Sequence, residues 1–120
     1  MSKHGNLDPR TLAAQALGWE DPSTGAVVPP VQFATTFTRL PDHGQREYFY
    51  SRYASPNAVH AEAVLAELEG AAAALSFASG LAACTAPFHA LMQGDHVICA
   101  RPVYHGVIAW LEEFAEARGL

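Results

Sequence analysis

Residues 70–100 read GAAAALSFASGLAACTAPFHALMQGDHVICA, and this stretch decides the fold. Ala71 to Phe77 is a continuous apolar run, short enough to predict a buried strand. Ala78-Ser79-Gly80 breaks the run, and a helix is predicted from there to about Met92. Pro87 removes a helical N–H and should bend or interrupt it. Gln93-Gly94-Asp95 reads as a turn and His96 to Ala100 as a second strand. About Tyr104 to Arg118 then reads as a helix carrying Val107, Trp110, Leu111 and Phe114. Strand, helix, strand, helix at this spacing predicts a βαβ unit with a right-handed crossover, so the expected class is α/β. Two strands make a poor parallel sheet, because parallel strands are normally buried on both faces within larger sheets. The expectation is of a sheet that continues.

Upstream, the pattern changes. Asn57 is expected to cap a helix running to about Glu69, with Ala61, Val64, Leu65 and Leu68 on one stripe and Gly70 as its stop. Residues 1–56 hold most of the prolines and read as a long, mostly irregular arm. Within it, Asp8-Pro9 should open a short helix with Leu12, Ala13, Ala16 and Leu17 on its apolar face, ended by Gly18. PSTGAVVPP, from Pro22 to Pro30, is turn and extended chain, since consecutive prolines forbid helix. Val31 to Phe37 is rich in β-branched and aromatic residues without alternation. Such an arm is expected to lie on another surface. The predicted organisation is therefore an arm over 1–56 and the beginning of an α/β domain over 57–120.

Composition narrows the function classes. Half of the 120 residues are hydrophobic and 16% are charged, as in a packed globular chain. The net charge is −5, and the six arginines and single lysine are scattered, which disfavours a nucleic-acid partner. No apolar run is long enough for a transmembrane helix, and the polar start MSKHGN leads into no signal-peptide core, so a cytoplasmic location is expected. Cys84 and Cys99 sit in apolar stretches and are expected as buried free thiols. His43, His60 and His89 lie at no metal-ligand spacing with Cys or acid, so no metal site is expected.

Three features carry chemistry. The Ser79-Gly80-Leu81 corner lies between a predicted strand and a helix, where backbone N–H groups can meet an anion; many such corners only turn the chain. Tyr50 and Arg52, two residues apart in what reads as extended chain, would project to one side, and both suit a phosphate. The same aromatic-rich segment could instead pack on a neighbour. Tyr104 stands beyond a predicted strand end, where ligands of α/β sheets gather.

The order of the segments TGAVVPPVQFATTF, YFYSRYASPN, AVLAELEG, ALSFASGLAA, GDHVICA and VYHG resembles the cystathionine γ-synthase-like family of pyridoxal-phosphate (PLP) enzymes, the Cys/Met metabolism family. The resemblance covers about Thr24 to at least Trp110. It implies the type I PLP-dependent transferase fold, aspartate aminotransferase-like, with 57–120 beginning the large PLP-binding domain. It implies that Gly80 and Leu81 offer N–H groups to the PLP phosphate and that Tyr104 stacks on the pyridine ring. It also implies that Tyr50 and Arg52 reach the phosphate bound by a neighbouring subunit, within a homotetramer built as a dimer of dimers.

Departures from the family pattern are local. Its Gly-Asn-Pro-Thr turn is Ala54-Ser55-Pro56-Asn57 here, its Ser-Gly-Met corner ends in Leu81, and its Tyr-Gly-Gly element is Tyr104-His105-Gly106. Methionine γ-lyases of the family often carry cysteine where this chain has Gly106, which argues against that activity. The family's Schiff-base lysine lies downstream, and the chain's one lysine, Lys3, sits in a polar terminus ahead of the arm. No catalytic residue is therefore expected within the chain. The resemblance implies the N-terminal portion of a transsulfuration-type lyase or transferase acting on sulfur amino acids or O-activated homoserine. The alternative is a non-catalytic fragment or pseudoenzyme that binds a complete homologue through its arm.

Overall fold

The computed structural model describes residues 7–42, 44 and 46–120. Lys3 and His43 lie outside the described residues. The chain forms two compact units, one running to Leu75 and the other from Ser76 to Leu120.

In the first unit, helix α1 spans Pro9–Ala14. Its start is the predicted one: the Asp8 carboxylate accepts from Arg10 N–H at 2.8 Å, and Pro9 occupies the first turn, where its missing N–H is no loss. Its end comes earlier than predicted. Ala16 and Leu17 adopt positive φ of 46° and 61°, ahead of Gly18 at 71°, so the apolar stripe is cut and only Leu12 is buried. Left-handed backbone is costly for residues with a Cβ. Beyond this reversal, Trp19 meets His60 of the next helix edge-on at 6.3 Å.

The segment after α1 is held by side-chain bonds rather than by a sheet. The Asp21 carboxylate accepts from Ser23 N–H, Ser23 Oγ–H and Thr24 N–H, while Asp21 N–H reaches Ala26 O at 2.8 Å. These bonds, led by those from Ser23, hold the Asp21 carboxyl below its usual value. Among the described residues Val31 to Phe37 forms no strand and is tied to Phe49 to Ser51 by one isolated antiparallel bridge, Thr36 to Tyr50.

Helix α2 spans Pro56–Leu68 and packs on α1. Its cap is Ser55, whose hydroxyl accepts from Ala58 N–H at 3.3 Å, and not Asn57 as predicted. Pro56 at the first helical position leaves the cap to the residue before it. Asn57 is released for another task, and its amide bonds both backbone groups of Gln32.

In the second unit, α3 spans Gly80–Thr85 and continues as a 3-10 helix, Ala86–Ala90, the predicted interruption at Pro87. Helix α4 spans His105–Arg118 and ends at Gly119 with φ 69°, the left-handed C-cap that glycine adopts without a Cβ penalty. Helices α3 and α4 pack together, and Val107, Leu111 and Thr85 form the buried centre of this unit. Trp110 stacks on Phe114 at 4.4 Å, with Phe88 and His89 against them. The turn at Gly94 is tied to the end of α4, since Gly94 N–H donates to Gly119 O at 2.9 Å.

The two predicted strands are the main difference. Neither 71–77 nor 96–100 pairs in a ladder among the described residues. Ladder pairing is non-local, and these segments find no partner edge here. The run 71–77, predicted to be buried, is largely exposed instead, with Leu75 76% accessible, and Ile98 of the second segment is 90% accessible. Cys84 and Cys99 are free, as expected, but exposed rather than buried. Cys99 lies on the unpaired segment 96–100 and Cys84 on an open face of α3.

Candidate functional site

The predicted site residues divide between the two units: Tyr50 and Arg52 in the first, Gly80, Leu81 and Tyr104 in the second.

Tyr50 and Arg52 are brought together, though not by extended chain. Residues 51–53 form a turn in which Tyr53 N–H donates to Tyr50 O at 3.0 Å and Ala54 N–H to the same oxygen at 3.3 Å. The turn is anchored to the arm by Ser51 N–H donating to Thr35 O at 2.9 Å and Phe37 N–H to Phe49 O at 3.1 Å. Folding the chain back lays the Arg52 guanidinium over the Tyr50 ring, 4.4 Å from its centroid. Tyr53 flanks the same guanidinium at 5.9 Å and stacks on Phe49 at 5.0 Å. Arg52 is exposed, and among the described residues no acid pairs with it. Its charged face is open to an anion.

Residue-by-residue reading of this segment missed Tyr53. The available signal was its place next to Arg52 in the run YFYSRY, with Phe49 four residues earlier as a support for its ring. Tyr48, on the other side, tilts against Phe37 at 5.8 Å. Burial and the neighbouring Glu47 push its phenol up from the usual value.

At the start of α3, Ser79 is the cap. Its Oγ accepts from Ala82 N–H at 3.2 Å and its carbonyl from Ala83 N–H at 3.1 Å. The N–H groups of Gly80 and Leu81, one step earlier, have no acceptor among the described residues. A Cβ added at Gly80 would meet nothing within 4 Å, so this side of the corner is open space. Two neighbouring free N–H groups beside such space are a donor pair for an anion.

Tyr104 precedes α4 and is 72% exposed, with its ring lying across Gly106. A Cβ at residue 106 would stand 2.7 Å from Tyr104 Cε1, closer than such contacts allow. Glycine there is what lets the ring lie down. Among the described residues no cluster of His, Cys, Asp and Glu is placed to hold a metal ion, and no helix is long and apolar enough to cross a membrane.

Residues 10–120 match the family described as Cys/Met metabolism PLP-dependent enzyme. The chain belongs to that family. It is 37% identical to the cystathionine beta-lyase MetC of Bacillus subtilis (strain 168) over all 120 residues, which is 30% of that protein. It is 39% identical to the cystathionine gamma-lyase of Homo sapiens over 95 residues, or 79% of this chain and 24% of the human protein. Among solved structures it is similar to the cystathione gamma lyase CalE6 from Micromonospora echinospora, with a TM-score of 0.77 and 32% identity. That match covers 92% of this chain and 29% of the other. The chain thus spans about a quarter to a third of the length of these relatives. Its fold is that of the corresponding part of a cystathionine gamma-lyase-type PLP enzyme.

Proposed function

We propose that this chain is the N-terminal portion of a cytoplasmic PLP-dependent transsulfuration-type lyase or transferase acting on sulfur amino acids or O-activated homoserine. The observation that carries the reading is the 37% identity to a cystathionine beta-lyase along the whole chain. Beta- and gamma-lyases and a probable cystathionine gamma-synthase of Herpetosiphon aurantiacus are all similar to it, so elimination and replacement at Cβ or Cγ both fall within the proposal.

The residues present fit the cofactor's phosphate. In this reading the free N–H groups of Gly80 and Leu81 donate to phosphate oxygens, adding the positive end of a helical turn. Arg52 supplies a charge-assisted contact and Tyr50 a hydroxyl to a phosphate in a neighbouring subunit, while Tyr104 offers its exposed ring as a cover for the pyridine. PLP, when bound, supplies an electron sink that lets bonds to the amino acid's α-carbon break. The chain's own residues bind and orient; the lysine that holds the cofactor and moves protons is not among residues 4–120.

The arm supports the oligomeric part of the proposal. Val27, Val28, Val31 and Phe33 stand exposed along a segment with one isolated bridge, a surface suited to a partner subunit in a dimer of dimers. In the same reading residues 1–56 are an exchange element, and 57–120 begin the large α/β domain, whose parallel sheet would pair segments 71–77 and 96–100.

Two measurements test the proposal. The enzyme carrying this chain should bind PLP and turn over cystathionine or an O-acylated homoserine; failure of both overturns it. The 120-residue chain alone, treated with PLP and borohydride, should give no stoichiometric adduct at one site and no turnover. A single-site adduct with turnover of a sulfur amino acid would show that the chain is catalytically self-sufficient.

A further inference from the structure

We infer that Tyr53 is a positioning residue: with Tyr50 it clamps the Arg52 guanidinium and holds it ready for the phosphate. The inference rests on the proposed contact between Arg52 and the cofactor phosphate. Four side chains are linked by successive ring and cation contacts. Phe49 carries Tyr53 at 5.0 Å with ring planes 28° apart; Tyr53 lies 5.9 Å from Arg52 Cζ; and Arg52 lies 4.4 Å over Tyr50. Both aromatic contacts to the guanidinium fall within cation–π range.

Tyr53 is 71% exposed, yet it is fixed at both ends. Its ring rests on Phe49, and its backbone N–H donates to Tyr50 O at 3.0 Å, the bond that closes the turn. An exposed arginine would otherwise sample many rotamers, and the entropy lost in ordering them opposes binding. Two ring faces restrict the guanidinium beforehand, so less freedom is lost when an anion arrives. They also leave its N–H groups free, because a ring face takes none of the strong hydrogen bonds that a carboxylate would. A planar guanidinium suits this arrangement better than a lysine ammonium.

The test measures PLP retention of the PLP-loaded enzyme carrying this chain, by loss of cofactor absorbance after dilution. Tyr53→Leu should speed release by about threefold, the size of an exposed cation–π contact. Arg52→Ala should speed it by about tenfold or more, as loss of a charge-assisted bond predicts. Tyr53→Phe keeps the ring and should restore most of what Tyr53→Leu loses. Because Tyr53 acts through Arg52, the double variant should release PLP no faster than Arg52→Ala alone. Pyridoxal, which has no phosphate, should bind equally to wild type and Tyr53→Leu. Equal weakening toward PLP and pyridoxal, or additive effects in the double variant, would overturn the positioning role. Fast release from Arg52→Ala with no effect of Tyr53→Leu would also overturn it, while leaving the phosphate contact standing. Unchanged retention in Arg52→Ala would remove the phosphate contact itself, and the role of Tyr53 with it.

Discussion

The side-chain amide of Asn57 pairs with both backbone groups of Gln32: its Oδ1 accepts from Gln32 N–H at 2.9 Å, and its Nδ2 donates to Gln32 O at 2.8 Å. One residue of α2 thus imitates a strand neighbour for the arm. Twenty-five positions apart in sequence, these two residues pin a segment that has no ladder of its own.

Asn57→Ala should therefore loosen the arm rather than the helix. Two neutral bonds at an exposed site contribute about 1 kcal/mol together. Ser55 and Pro56 still start α2, so helix content should hold. Hydrogen exchange checks this: the Gln32 amide should exchange faster in the variant while the amides of α2 keep their protection. Uniform loss of protection across both would contradict it.

The Asp21 turn gives a prediction with a defined pH sense. The carboxyl is depressed below 3.8 by its bonds from Ser23 and Thr24, so its contribution is fully present above that value. It is lost as pH falls through the folded-state value, when protonation removes the charge that these donors favour. Asp21→Ala should loosen residues 21–26 near neutral pH, and the difference from wild type should close in strong acid. Amide chemical shifts of Ser23 and Thr24, followed from about pH 7 to about pH 2, would show it. A difference that persists unchanged in acid would mean that the turn does not depend on the carboxylate.

The helix starts were legible because their signals are local. Asp8-Pro9 and Ser79-Gly80 each combine a cap with a permissive first turn, and both lead helices. Around Pro56 the sequence offers two good caps, Ser55 and Asn57, and the proline's preference for the first helical position decides for Ser55. The strands were not legible in the same way. Apolar runs such as AAAALSF state a tendency, but a ladder also needs a partner edge elsewhere in space. The closeness of Tyr50 and Arg52 was legible and its geometry was misread, since a turn, not an extended chain, brings them together. The placing of Tyr53 had a local signal in the run YFYSRY, but the turn that sets its ring on Phe49 is seen only in the structure.

Gly106→Ala should move Tyr104. The added Cβ would fall 2.7 Å from the ring, and the ring is the free end of an exposed side chain, so it should swing while α4 stays. Alanine also favours the helix by up to about 1 kcal/mol over glycine, which leaves stability unchanged or slightly raised. The crystal structure of the variant should show a changed Tyr104 rotamer with the α4 backbone in place. In the PLP-loaded enzyme, the cofactor absorbance should shift without a loss of retention as large as that of Arg52→Ala. A ring left in position, with α4 displaced, would contradict the argument.

The exchange-arm reading can be tested by mixing subunits. In the complete enzyme proposed above, two homomers depleted in activity are needed, one carrying Arg52→Ala and one with its proposed Schiff-base lysine replaced. If Arg52 serves the neighbouring subunit's phosphate, a mixed dimer pairs its defects unequally. One of its sites receives both the mutant lysine position and the mutant arginine. The other receives an intact lysine from one chain and an intact Arg52 from its partner, and should work. Activity should return after exchange, toward about half that of wild type per mixed dimer on this count of sites. If Arg52 acts within its own subunit, each site of the mixed dimer keeps one defect and nothing returns. Mass tagging of the two homomers establishes that exchange has occurred, so a negative result would place Arg52 in its own subunit's site. The exposed arm residues Val27, Val28, Val31 and Phe33 could still pack on the partner in that case, but Arg52 would not be the group the arm delivers.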